Sequence, residues 1–360
     1  LAAYCWGGNS AGQLGDGSTA PSEVPRPVAA DSLVQVAAGE RFTCGTTLSR
    51  GVQCWGDNSL GQLGDGGTAS RTTAAAVALP PGVAGGVRGT AAGRHHACAA
   101  AASGQVACWG ANGSGQLGTP STAACGTPAT PCAPLPAVVP GTGAAVFAAA
   151  AATYTCALGQ DERAACWGVL PWRDGTPVSP QPTAPLLLLT RLATGADHAC
   201  GLTPAGFAYC WGMGGWGQLG TDRVAVRCGG VPCTPVPVPV EGGILFSQIA
   251  AGDGFTCGLA TNERIYCWGR NDRGQRGAPA GSAACGGQPC ETIPRPVEGL
   301  HRFSALGTGA AHACAVTPQG RLYCWGRNDQ GQLGVGDRLD RSLPTPVLAP
   351  LVAAEAAAGR

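Results

Sequence analysis

Residues 309–334 read GAAHACAVTPQGRLYCWGRNDQGQLG. Two short apolar runs, Cys314-Ala315-Val316 and Leu322-Tyr323-Cys324, flank the turn Thr317-Pro318-Gln319-Gly320. That arrangement predicts a β-hairpin with a glycine in its turn. The hairpin ends in Cys-Trp-Gly, and this tripeptide occurs seven times along the chain, with its cysteine at Cys5, Cys54, Cys108, Cys166, Cys210, Cys267 and Cys324. The intervals are 49, 54, 58, 44, 57 and 57 residues. A period of this size means a solenoid, a propeller or an array.

Other features recur with the motif. In the last six repeats a second cysteine stands ten residues upstream, giving Cys44/Cys54, Cys98/Cys108, Cys156/Cys166, Cys200/Cys210, Cys257/Cys267 and Cys314/Cys324. A glycine after a small apolar run lies five residues before the first cysteine at Gly39, Gly93, Gly195, Gly252 and Gly309. It predicts a further strand, ending where backbones approach closely. After Cys-Trp-Gly comes a loop closing on Gly-Gln-Leu-Gly at 12–15, 61–64, 115–118, 217–220 and 331–334, and on Gly-Gln-Arg-Gly at 274–277. A proline-rich segment such as Val24-Pro25-Arg26-Pro27-Val28 follows, which proline confines to a sheet edge. Each repeat therefore offers about four short strands, which suits a propeller blade. The repeat motifs span 5–15, 44–64, 98–118, 156–175, 200–220, 257–277 and 314–334.

Composition agrees with an all-β chain. Of 360 residues, 59 are glycine and 29 proline, while 44% are apolar and only 12% charged, which argues against a disordered chain and for many turns. No lysine is present, and the net charge of +1 gives no electrostatic footprint for nucleic acid.

The pattern in residues 309–334 resembles the repeat of the regulator of chromosome condensation family, in its cysteine-containing bacterial branch. The resemblance extends over nearly the whole chain. It implies an all-β, seven-bladed β-propeller occupying 1–360 as one domain. In that fold the ring-closing segment 345–360 would pair with the N-terminal blade. The family acts mostly by gripping other proteins.

The nineteen cysteines carry a separate argument. Six pairs at one spacing, each within one hairpin, read as disulfides; metal binding would need clustered knuckles that the sequence lacks. Three closer pairs, Cys125/Cys132, Cys228/Cys233 and Cys285/Cys290, read as staples of enlarged rim loops. Nine disulfides place the expected home of the protein outside the cytosol, in a periplasm or secreted, after removal of a signal not present in this sequence. Cys5 is left over. Its partner is expected before Leu1, on a strand that the chain as given does not contain.

Residues for chemistry are scarce. His96, His198 and His312 share a position with Phe42, Tyr154 and Phe255, so that position selects a flat ring rather than a base or a metal ligand. His95 and His301 have no evident partner. Asp16-Gly17 and Asp65-Gly66 read as turns rather than calcium loops, and the Asn three residues after five of the motif tryptophans (Asn9, Asn58, Asn112, Asn271, Asn328) reads as a loop anchor. No nucleophile elbow, phosphate loop or carboxylate pair stands out. We therefore expect no enzyme activity, no cofactor, no metal and no small-molecule substrate.

The position five residues after each motif Trp varies: Ala11, Leu60, Ser114, Trp172, Trp216, Arg273 and Gln330. Leu60, Trp172, Arg173 and Trp216 are the candidate protein-binding residues, since exposed aromatics on one rim serve as interface anchors. The fourth repeat lacks Gly-Gln-Leu-Gly, so an equal alternative has Trp172 refilling that space. The expected function is a non-catalytic, extracytoplasmic protein-binding scaffold, an accessory subunit docked on a larger envelope or membrane complex, with one or more proteins as partners and no nucleic acid. The alternative is a secreted propeller that inhibits an enzyme. Guanine-nucleotide exchange and a lyase or hydrolase seated in the channel fit the sequence less well.

Overall fold

The computed structural model describes residues 2–121, 123–183, 187–279, 283–299, 301–348 and 357–359. Two compact units are found: residues 1–170 with 175–185 and 359, and residues 171–174 with 186–358 and 360.

Each unit is built from antiparallel sheets that follow the repeat. In the first unit one sheet runs Leu33–Ala38, Phe42–Thr47, Val52–Gly56, Arg71–Ala76. A second runs Val87–Ala92, His96–Ala101, Val106–Ala111, Thr130–Val138, Ala123–Cys125, and a third runs Ala145–Ala150, Tyr154–Gly159, Ala164–Val169, Pro177–Pro182. The second unit holds Arg191–Thr194, His198–Leu202, Ala208–Met213, Val231–Pro239, Arg227–Cys228, and then Phe246–Ala251, Phe255–Ala260, Ile265–Arg270, Gln288–Pro296, Ala284–Cys285. Its last sheet runs Ala305–Thr308, His312–Val316, Leu322–Gly326, Arg341–Pro346. The hairpin, the strand before it and the proline-bearing strand outside it are thus all where the sequence puts them.

Among the described residues, seven complete blades are not found. Six sheets have four or five strands, while the first motif has only Tyr4–Gly7 paired with Ser22–Pro27. The proposed closing segment 345–360 also needs correction. Residues up to Pro346 belong to the strand Arg341–Pro346, which pairs with Leu322–Gly326 in the last repeat's own sheet. Residues 349–356 and 360 lie outside the described residues. Gly359 is described, and it lies in the first unit against Ala38 and Gly39.

Within each sheet the burial pattern explains the order. The strand carrying the first cysteine is buried at nearly every position, and the proline strand alternates towards solvent. Between sheets of one unit lie the cores. Phe42 and Val52 of one repeat pack with Val87 and Trp109 of the next, and Phe255 and Ile265 pack with Phe303 and Trp325. Trp55, Trp109, Trp167, Trp211, Trp268 and Trp325 are all fully buried, whereas Trp6 in the two-stranded sheet is half-buried. Burial of each indole at about 25 cal/mol per Å2 over roughly 150–250 Å2 contributes about 4–6 kcal/mol.

The glycine after each motif Trp has φ between +93° and +112° at Gly56, Gly110, Gly168, Gly212, Gly269 and Gly326. At this glycine the Cys-Trp strand bulges against the proline strand, and a Cβ would strike the backbone of the first-cysteine strand. Residues 187–189 are not in a strand; Leu189 alone is buried, under Gly201, and the strand starts at Arg191.

Candidate protein-binding surface

The cysteines pair as the spacing requires. Six disulfides, Cys44–Cys54, Cys98–Cys108, Cys156–Cys166, Cys200–Cys210, Cys257–Cys267 and Cys314–Cys324, join residues directly opposite in the hairpins, with Cα–Cα distances of 4.0–4.1 Å. Cys125–Cys132, Cys228–Cys233 and Cys285–Cys290 close the small added hairpins. Cys5 is a free, half-buried thiol, and burial, helped by the Asp16 carboxylate, pushes it up to about 12.

The loop after Cys-Trp-Gly is built by two amides. The Asn side-chain carbonyl accepts the backbone N–H five residues on, as in Asn58 with Leu63 and Asn328 with Leu333, both 2.9 Å. The Gln carbonyl of Gly-Gln-Leu-Gly accepts the N–H of the variable position, from Leu60, Ser114, Trp216, Arg273 and others. Asp16 and Asp65 accept bonds within their own turns, from Ser18 N–H and Gly67 N–H. Among the described residues no three His, Cys, Asp or Glu side chains gather closely enough to hold a metal ion.

The same Gln supplies the acceptor that locks one repeat to the next. Its backbone carbonyl takes the indole N–H of the following motif Trp: Gln13 from Trp55, Gln62 from Trp109, Gln116 from Trp167, Gln218 from Trp268, each at 2.9 Å, and Gln275 from Trp325 at 3.0 Å. Where the next repeat carries Thr before its first cysteine, that hydroxyl donates to the same carbonyl, from Thr43, Thr155 and Thr256. The histidines join this network. His96 Nε2 lies 2.7 Å from the Thr155 hydroxyl, and His198 Nε2 lies 2.7 Å from that of Thr256. Each hydroxyl already spends its hydrogen on a Gln carbonyl, so the imidazole is the donor. His312, whose imidazole makes no hydrogen bond among the described residues, has its pKa held down to about 4 by burial and by the nearby Arg327 charge. His95 does have a partner, the Glu40 carboxylate at 3.1 Å, and His301 stacks on Tyr323. The sequence signal was present but unread: His-Ala and aromatic-Thr alternate before the first cysteine from residue 42 to residue 313.

Of the four candidate binding residues, three are buried or half-buried. Trp172 is only 4% exposed. A Cβ on Gly212 would meet its ring at 2.9 Å, whereas at Gly110, Gly168 and Gly269 the neighbour at that place is the Cα of Gln62, Gln116 or Gln218. Trp172 thus occupies the room of the missing Gln, as the refilling alternative requires. Leu60 is half-buried, with its methyl group packed at Gly126 of the next repeat's stapled hairpin. Trp216 is half-buried too, with the Arg270 guanidinium 5.2 Å above its ring. Arg173 is exposed.

The bulky choices follow a rule. Leu60, Trp172 and Trp216 stand in the repeats that precede the three stapled hairpins, while Ala11, Ser114 and Arg273 precede repeats without one. The variable position answers to the neighbouring rim loop. Arg270, over Trp216, pairs with Asp272 at 2.6 Å, and the second unit also carries the ion pairs of Arg273 with Asp340 at 3.3 Å and of Arg327 with Asp329. Arg276 replaces the loop Leu and is buried with its Nε unpartnered.

Residues 2–360 match the family model of the RCC1-like domain. The chain is 33% identical over 165 residues to the ultraviolet-B receptor UVR8 of Arabidopsis thaliana, covering 44% of this chain and 34% of that protein. It is 33% identical over 183 residues to protein pim1 of Schizosaccharomyces pombe, covering 50% of this chain and 32% of that protein. The chain therefore spans about a third of the length of these curated relatives. Among solved structures, human WBSCR16 superposes with a TM-score of 0.84 at 21% identity over all of this chain and 98% of that one. Yeast RCC1 (Prp20), solved bound to Kap60, gives 0.81 at 21% identity over 96% of this chain and 83% of that one. The fold is thus an all-β propeller.

Proposed function

The chain belongs to the RCC1-like domain family, and from that premise we propose that it is a non-catalytic protein-binding scaffold working outside the cytosol. Its place would be that of an accessory subunit on a larger envelope or membrane complex. The observation that carries the reading is the loop surface of the second unit. There Trp216 is braced by Arg270, which pairs with Asp272, and the same unit carries the ion pairs of Arg273 and Arg327 with aspartates. Trp and Arg dominate the energetics of protein interfaces, and rigid side chains lose little entropy on binding. Two solved structures of one relative support the partner class: yeast RCC1 (Prp20) is bound to Kap60 in one, and the other carries its binding properties to Gsp1p and histones. Nine disulfides support the oxidising compartment.

The ring is proposed to have seven blades. Support comes from the first unit, where Gly359 faces the Gly39 carbonyl as Gly39 faces that of Gly93. Gly359 takes the place of the glycine that precedes Gly39 in the repeat.

The test is a photo-crosslinking amino acid at position 173 and at position 330 in the native, oxidised protein. The scaffold reading expects crosslinks to a defined second polypeptide from at least one position. Crosslinks to solvent products alone at both positions would contradict it.

A further inference from the structure

Trp172 and Trp216 are the tryptophans outside the Cys-Trp-Gly motif, and each precedes a hairpin of one form: Cys228-Gly-Gly-Val-Pro-Cys233 and Cys285-Gly-Gly-Gln-Pro-Cys290. We propose that these two hairpins are redox latches, whose reduction frees the rim and uncovers Trp172, and by the same pattern Trp216, while the sheets stay folded.

Access separates these disulfides from the rest. Cys228 and Cys285 are half-buried, whereas the twelve cysteines that tie the sheet hairpins are no more than 3% exposed. Cys125 and Cys132 are also buried, which leaves the third staple out of the set. A Cβ on Gly229, Gly230, Gly286 or Gly287 would meet nothing within 4 Å, so the tip of each hairpin faces open space beside its half-buried outer cysteine. Thiol–disulfide exchange needs that access to one sulfur.

Geometry links the first hairpin to its tryptophan. Cys228 Sγ lies 3.6 Å from the Trp172 carbonyl oxygen, in the stretch where Trp172 fills the missing loop. The inner strand, with Cys233, is fixed to Ala208–Met213 and by the Gly214 N–H to the Pro232 carbonyl, but the outer strand is two residues, Arg227–Cys228, held by its pairing with Val231–Pro232 and by the tip bonds of Arg227 Nη1 to the Gly230 carbonyl and the Cys233 N–H to the Val226 carbonyl. Elements so lightly held open locally without global unfolding. The sheet disulfides, by contrast, sit in strands paired on both sides.

The reductant required is a dithiol. One of its thiolates attacks Cys228 Sγ and forms a mixed disulfide, and Cys233 leaves as a thiolate that takes a proton. The second thiol of the reductant then attacks the mixed disulfide, releases Cys228 as a thiol and leaves the reductant as a disulfide. Two electrons and two protons pass to the hairpin, and Cys285–Cys290 reacts in the same way.

The test treats the native protein with dithiothreitol below its unfolding temperature, alkylates it and maps thiols by mass spectrometry. Cys228, Cys233, Cys285 and Cys290 should be labelled while the twelve sheet cysteines stay oxidised. Hydroxyl-radical footprinting of Trp172 should rise several-fold in the same sample and in the Cys228→Ser, Cys233→Ser variant. Labelling of the four only together with the sheet cysteines overturns the proposal. So does selective labelling with Trp172 as protected as before.

Discussion

Among the described residues the indole N–H of Trp211 reaches no acceptor, and the ring of Trp172, not a glutamine backbone, lies against Gly212. Every other fully buried motif tryptophan donates to a Gln carbonyl. Trp172 restores the lost volume but has no carbonyl at that place. The two substitutions Trp211→Phe and Trp167→Phe should therefore differ. Trp167→Phe removes a satisfied bond, while Trp211→Phe removes an orphan donor. We expect Trp211→Phe to be less destabilising by about 1–3 kcal/mol, measured by chemical denaturation. Equal losses would contradict the assignment.

Trp172 itself should be a stability residue. Trp172→Ser empties a buried site and is expected to cost about 3–5 kcal/mol in thermal or denaturant unfolding. Unchanged stability would return it to the list of surface anchors.

Arg276 is expected to behave in the opposite sense. The homologous loop positions Leu63, Leu117, Leu219 and Leu333 are buried apolar residues, and Arg276 brings a charge into the same environment with its Nε unpaired. Burial lowers its pKa, opposed by Glu291. Arg276→Leu should stabilise the protein by about 1–3 kcal/mol, read as a rise in Tm. A fall in Tm would show that the guanidinium has a favourable partner.

His312 makes stability depend on pH. Its folded pKa is depressed to about 4 by burial and then by Arg327. The unfolded imidazole titrates near 6.5. Between these values the unfolded chain takes up a proton that the folded one refuses. Stability is therefore fully present above about 6.5, falls as pH drops through this window by about 3 kcal/mol, and levels off below about 4. His312→Phe, the residue type at Phe42 and Phe255, should flatten this slope in urea titrations across pH 4–7 relative to wild type. An unchanged slope would contradict it.

Much of this was legible in the sequence because it repeats. The hairpin of Cys314 and Cys324, the lead strand before Gly309 and the edge strand with its prolines follow from spacing and from what proline and glycine permit. The disulfides follow from cysteines placed opposite one another. The fate of the variable position did not, since a side chain's exposure depends on the neighbouring repeat. Trp172 and Arg173 are adjacent in sequence, yet one is buried and the other exposed. The sheet at Tyr4–Gly7 has two described strands rather than four because its pattern lacks a first-cysteine strand. The Thr155–Gln116–Trp167 network needs residues from two repeats, which no single hairpin displays.

The central claim is that this propeller works by holding another protein. Native mass spectrometry of the oxidised protein purified from its own cells tests that most directly. The account predicts a discrete complex with a second polypeptide at fixed stoichiometry, which dissociates to the chain mass on activation. A mass of the chain alone, or of its own multiples, at every concentration would contradict it.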